Sequence, residues 1–414
     1  DSIGGIIVSR SFFYDLFNRP VTSIEPAANG ETRTIAVLYD KASNTTNVTV
    51  SVGALSRTSS YELNNMKRCV KATLPDGGVV SNTFNVRGEL VQQSGARTYP
   101  KSYSYTDQGR QATLTTYRNG LGGSGDTTTW IYNPARGWPV AKIYADGTSN
   151  SFEHLANGLL SKRTWARGIE TEYAYAPDRT LTNISHSDST PGVAFTADRL
   201  GRAVEVADSI GTWNIAYAED GQLASMSLPH LSWTLTHGQD TFGRLTNSAL
   251  NSGASVVHNA LYSFDSAGRL YTAGNGTHTG IYQYGIDGRT YTNLSYGAMM
   301  GVSRSLDGLN RLAGISATPS NAPAVSFAYM LNLADQRTTN SLADGSRWGF
   351  EYDSLGQVIS GKKLFSDGAA VGGCQFEYAF DTAGNSVSAK LGDPDLSTTY
   401  TPNQINQRVA GTVP

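Results

Sequence analysis

The chain has 414 residues, of which 16% are charged, and a formal net charge of -2, so it carries no excess of positive charge to follow a phosphate backbone or an anionic membrane surface. No stretch approaches the roughly 18 consecutive apolar residues of a membrane-spanning helix. With 44 glycines and 22 tyrosines the composition suits turns and strands, and it argues against a nucleic-acid partner and against a membrane span.

The chain opens on Asp1, without a starting Met or a charged and apolar leader, and reads as an excised or processed segment. From Tyr14 onward an aromatic–Asp pair recurs in similar surroundings. YDLFNRP places Asp15, YDKASN Asp40, FDSAGRL Asp265 with Gly268 and Arg269, YDSLGQV Asp353 with Gly356, and FDTAGNS Asp381 with Gly384. Weaker copies fill the gaps, among them YELNNMK at Tyr61, FNVRGEL at Phe84, YAEDGQL at Tyr217, LDGLNRL at Leu306 and PNQINQR at Pro402, and QDTFGRL supplies Asp240, Gly243 and Arg244. Eighteen units run from Asp15 to Asn403 at a mean spacing of about 23 residues, inside the range of repeat architectures. This predicts one repeat segment over 1–414 with no separate second domain.

Each unit contains a second turn, as in ANGE at Ala28, PDGG at Pro75, ADGT at Ala145, ADGS at Ala343 and SDGA at Ser366. Asp-Gly and Asn-Gly are strong hairpin signals because Gly takes a positive φ without steric cost. A unit therefore reads as turn, strand, turn, strand. The strands have a period of two: Trp213, Ile215 and Tyr217 share one face, as do Trp348, Phe350 and Tyr352, and Phe376, Tyr378 and Phe380. This pattern predicts an antiparallel sheet with one buried aromatic side. The ring of the aromatic–Asp pair would lie on that side, with its hydroxyl dispensable, since Phe264 and Phe380 lack one.

About 36 strands would make a sheet roughly 170 Å wide. Strongly twisted sheets of that size curl, split or close. The expected fold class is all-β, with tandem antiparallel β-hairpin repeats coiling into an open spiral or hollow shell.

At the turns, the aspartates could be imagined as calcium ligands, but Ca²⁺ takes six to eight oxygens and the following Gly-Arg supplies a cation instead. The turn reading has Asp accept hydrogen bonds from N–H groups two or three residues on, Gly268 take the positive-φ position and Arg269 pair back to a carboxylate. Asn64, Asn310 and Asn406 stand near the glycine's place where it is missing, and Asn tolerates the left-handed region best after Gly.

The Y-D-x-x-G-R pattern at this spacing resembles the YD-repeat, or Rhs-repeat, family, which includes Rhs polymorphic toxins, the B and C subunits of insecticidal ABC toxin complexes and the teneurin shell. The resemblance covers nearly the whole chain from Tyr14 on. It implies a strip of hairpins spiralling into a hollow cocoon, often around a toxic C-terminal domain, and in teneurins an extracellular interaction scaffold. Two features depart from the pattern. The core segment with an aspartyl autoproteolysis site is missing, GDPDLS at Gly392 holding only a lone Asp-Pro, and the chain stops at INQRVAGTVP, one strand past the eighteenth turn. It reads as a piece of a larger shell.

Elsewhere the residues point to no catalytic, cofactor-binding or metal-binding set. His154, His186, His230, His237, His258 and His278 are scattered, and GLGGSGD at Gly120 lacks the Lys-Ser/Thr ending of a phosphate loop. Cys69 and Cys374 are far apart and have no C-x-x-C partner. The expected function is a non-catalytic scaffold that encloses or displays another polypeptide of the same larger protein, secreted or at the surface of a bacterium. The alternative is an adhesion or carbohydrate-binding module, motivated by abundant Tyr and by sequons at Asn44, Asn47, Asn183, Asn275 and Asn293. A polysaccharide-cleaving enzyme is third.

Overall fold

The computed structural model describes residues 2–3, 6–7, 9–27, 29–228, 230–392 and 396–412. Ala28 of the first Asn-Gly turn and the Asp393–Pro394 pair lie outside them. Among the described residues there are thirty-eight strands and no helix, so none is long and apolar enough to cross a membrane as a helix.

The chain divides into two compact units, Asp1–Thr128 with Tyr282–Pro414, and Thr129–Ile281. In the first unit, one ladder runs from Ser11–Tyr14 to Gln111–Tyr117, each strand antiparallel to its sequence neighbour. A second ladder of the same kind runs from Tyr291–Tyr296 to Arg408–Thr412. In the second unit the ladder runs from Pro139–Ile143 to Leu270–Gly274. The all-β tandem-hairpin fold is thus the one observed.

Hairpins of this length are specified by their turns. At the aromatic–Asp turns the register slips by one residue, as between Ser263 and Phe264 or Ala216 and Tyr217. The slip is a bulge, which adds right-handed twist at the same end of successive hairpins.

The period of two is present, but the buried side is not. In Thr212–Tyr217, exposed and half-buried residues alternate, with Trp213, Ile215 and Tyr217 half-buried. Fully buried apolar residues are confined to Ala27, Val52, Ala249 and Ala389 among the described residues. The reason is that alternation only sorts side chains between faces, whereas burial needs a second layer, and among the described residues neither unit packs one on the aromatic face. Stability in such a sheet rests on cross-strand pairs and on the turns.

Candidate functional site

The turn of FDSAGRL shows the unit's construction. Asp265 N–H donates to Arg269 O and Gly268 N–H donates to Asp265 O, both at 2.9 Å, and Gly268 has φ +79°. This is a three-residue hairpin loop closed by a left-handed residue. Asp265 Oδ1 accepts the backbone N–H of Ala267 (2.9 Å) and of Arg269 (3.0 Å), while Oδ2 accepts Arg269 Nε at 2.7 Å. The acceptor therefore reaches two and four residues on, not two or three, because the bulge brings the fourth N–H back over the carboxylate. Burial pushes the Asp265 carboxyl up, but the Arg269 side chain and N–H outweigh it and hold it below the ordinary range.

Asp15 and Asp240 make the same set with Arg19 and Arg244. Asp353 pairs with Gln357 Nε2 and Asp381 with Asn385 Nδ2, beside Gly356 and Gly384 at φ +82° and +89°. The polarity even inverts: Asn85 Nδ2 donates to Glu89 Oε2 at 2.6 Å. The hydrogen bond persists while the ion pair does not. Asp40 differs, opening a turn without a bulge in which it accepts from Ala42 N–H and Ser43 Oγ. Asn310 and Asn406 do take the left-handed place, at φ +62° and +61°. Asn64 does not; it occupies the acceptor's place, taking Met66 and Arg68 N–H, and Lys67 is the left-handed residue at φ +61°.

Neighbouring units are coupled through the same residues. Arg19 lies 4.1 Å over the Tyr39 ring, Arg202 4.3 Å over Tyr217 and Arg244 4.5 Å over Phe264. In several of the units where the ring is tyrosine, its hydroxyl donates to the first carbonyl beyond the preceding turn: Tyr105 to Leu90 (2.8 Å), Tyr175 to Leu160 (2.9 Å), Tyr217 to Ala203 (3.0 Å) and Tyr352 to Arg337 (2.8 Å). The hydroxyl expected to be dispensable thus has a recurring partner, which Phe264 and Phe380 forgo. Each unit is fastened to the one before, as in a one-dimensional repeat array.

In the first unit the aromatic–Asp turns of the later segment land on the second-turn edge of the earlier one. Asp335 stands 278 residues from Arg57 and meets it in a two-pronged pair, Nη1 to Oδ1 at 2.8 Å and Nη2 to Oδ2 at 2.9 Å. Arg311 Nη1 joins Asp335 Oδ1 at 2.9 Å while its Nε holds Asp307 at 2.7 Å. Asp335 occupies the glycine position of its turn, at φ +63°. Burial pushes its carboxyl up, and the hydrogen bonds from Arg57 and Arg311 overcome this and hold it down. Farther along, Arg97 N–H donates to Ser354 O at 2.9 Å, and Thr382 Oγ donates to Tyr117 O at 2.7 Å while accepting Gly120 N–H at 2.8 Å. Leu309 lines one recess with Val48, Val50 and Pro75, and Leu355 lines another with Val79, Ala96 and Pro100. The Gly120 loop is therefore held in a seam, with Asp126 paired to Arg118 at 2.8 Å.

Arg97 also grips Asp76 with both nitrogens, at 2.6 and 2.8 Å, and this hydrogen bonding lowers the Asp76 carboxyl from 3.8 to about 2. A depressed carboxylate contributes stability that is present above its unfolded value and lost as pH falls through its folded value. The stability gap between the wild type and Asp76→Asn is expected at about pH 5 and should close toward about pH 2, as read by urea unfolding.

The remaining sequence candidates do not converge. His154 lies tilted against Trp138 with ring centroids 5.4 Å apart, and His186 Nδ1 meets Thr171 Oγ at 3.1 Å. Cys69 and Cys374 are free thiols. Among the described residues no three His, Cys, Asp or Glu side chains gather as a metal site. Sequence reasoning missed Arg57, Arg97, Asp335 and Thr382. Only Asp335 had a legible signal, an Asp where its turn asks for Gly or Asn.

No family model and no curated protein matches the chain. Solved structures do. A mutant Tc holotoxin pore from Photorhabdus luminescens is 13% identical, with a TM-score of 0.65 over 99% of this chain and 23% of that one. The TcdB2-TccC3 complex without its hypervariable C-terminal region is 13% identical, with a TM-score of 0.57 over 98% of this chain and 26% of that one. TcdB2-TccC3 itself is 12% identical, with a TM-score of 0.56. At such identities the likeness shows the fold. The chain spans about a quarter of the length of the solved chains it matches.

Proposed function

We propose that the chain is one repeat segment of a non-catalytic β-scaffold that encloses or displays another polypeptide, in a secreted or surface-exposed bacterial protein. The observation that carries this reading is the long aromatic sheet face that no second layer buries in either unit. Half-covered rings at this density are expected to meet another surface, and the hairpin turns and seam contacts are already spent on holding the scaffold together. The likeness to Tc toxin structures supports the reading, since the matched structures are named for two components, TcdB2 and TccC3, and one of these structures is described as lacking a hypervariable C-terminal region. YD-type turns along the chain support it as well.

The test is limited proteolysis of the protein purified from its native source. A second polypeptide segment should survive protease while the scaffold is folded and be cut once urea unfolds it. Equal cleavage of that segment under both conditions would overturn the reading.

A further inference from the structure

The two faces of the second unit differ in charge as well as in size. Its strand carboxylates are Glu153, Glu170, Glu172 and Glu205. Register places all four on the same side of the sheet: Glu153 opposite Lys162, Lys162 opposite Glu172, Thr164 opposite Glu170, and Thr196 opposite Glu205. Lys162 shares that side and is satisfied there, with Nζ 3.0 Å from Glu153 and 3.2 Å from Glu170. The other side carries Lys142 and Arg163, opposite Trp130 and Phe152, and no strand carboxylate among the described residues.

These two cations have no hydrogen-bond or ion-pair partner among the described residues. They rest on rings instead. Lys142 Nζ lies 5.4 Å from the Trp130 ring and 4.8 Å from Tyr144, and Arg163 lies 5.8 Å from Phe152 and 3.3 Å from Trp165. Arg163 Nε is buried and unpaired. Ring stacking offsets part of the cost of holding a cation partly out of water but gives its N–H donors no acceptor on the protein. A guanidinium in that state is a ready partner for a carboxylate.

Beside the cations the same face carries aliphatic side chains among its rings, Phe195, Trp213 and Tyr217. Ile184 pairs with Val193, Phe195 with Val206, and Ile215 with Met226. Sugars stack on flat rings, whereas branched aliphatic side chains match apolar side chains. We infer that the aromatic face of the second unit binds an extended acidic polypeptide, its carboxylates on Lys142 and Arg163 and its apolar side chains on the aliphatic side chains beyond. This rests on the reading of the chain as a scaffold for another polypeptide and adds the chemistry of that partner.

The test uses the full chain and three fluorescent probes: a short peptide of Glu and Leu interrupted by Gly, its Lys and Leu counterpart, and polygalacturonate. Anisotropy should show the acidic peptide binding at least about tenfold more tightly than the basic one, with an affinity that falls as salt rises. Lys142→Met with Arg163→Met should remove that preference while leaving the strand signature in circular dichroism unchanged. The exchange Lys142→Arg with Arg163→Lys keeps both charges and should keep the preference. Tighter binding of the basic peptide, or an acidic preference that survives the double Met variant, would overturn the inference and leave the polypeptide reading standing. Binding of polygalacturonate with neither peptide bound would overturn both.

Discussion

Asp335→Ala is expected to destabilise the first unit by about 1–2 kcal/mol. The change removes the paired bonds to Arg57 and the bond to Arg311, leaving Arg57, whose side chain is only 18% exposed, with the Leu333 carbonyl alone, while Arg311 keeps Asp307. Half-exposure of Asp335 itself keeps the figure at the low end. Alanine gains nothing in return, because it also disfavours the left-handed backbone. Asp335→Gly separates the two effects, since it loses the same contacts but relieves strain of roughly 1 kcal/mol. The order of urea midpoints should therefore be wild type, then Gly, then Ala. A Gly variant more stable than wild type by the whole strain term would mean that the seam pairing contributes nothing. A double-mutant cycle with Arg57→Ala should show a coupling of about 1 kcal/mol.

Gly95→Ala is expected to cost more, about 3 kcal/mol or above. Gly95 has φ +127°, a region almost closed to other residues, and a Cβ there would sit 2.0 Å from Val79 O and 2.9 Å from Val80 Cα. Both obstacles are backbone, so the hairpin itself must shift. The shift would carry Arg97 away from Ser354 and Asp76, weakening the seam as well as the turn. Gly349→Ala is the matching control: it lies inside Arg347–Tyr352, where a Cβ meets nothing within 4 Å, and Ala suits a regular strand better than Gly. Thermal unfolding should separate the two variants clearly, and a loss at Gly95 no larger than at Gly349 would refute the steric account.

What was legible in the sequence follows the range of each interaction. Asp265, Gly268 and Arg269 lie within five residues and make their bonds to one another, so the turn is encoded where it is read. Small errors arose where geometry had to be supplied. The bulge sends the Asp acceptor to the fourth N–H instead of the third, and Asn64 fills the acceptor's place instead of the glycine's. The partner of the tyrosine hydroxyl, a carbonyl some fifteen residues back, has no side-chain signature and was not legible.

By itself the sequence determined the repeat, the all-β class, the alternation of faces and the chemistry of each bend, because all of these depend on neighbours along the chain and on the handed preferences of the backbone. Only the tertiary structure decided that Arg57 meets Asp335, that the Gly120 loop lies in a seam, and that Lys142 and Arg163 rest unpaired on rings. Those outcomes depend on where a twisted strip returns and on how far a side chain reaches across a strand, distances that accumulate over hundreds of residues and leave no local mark.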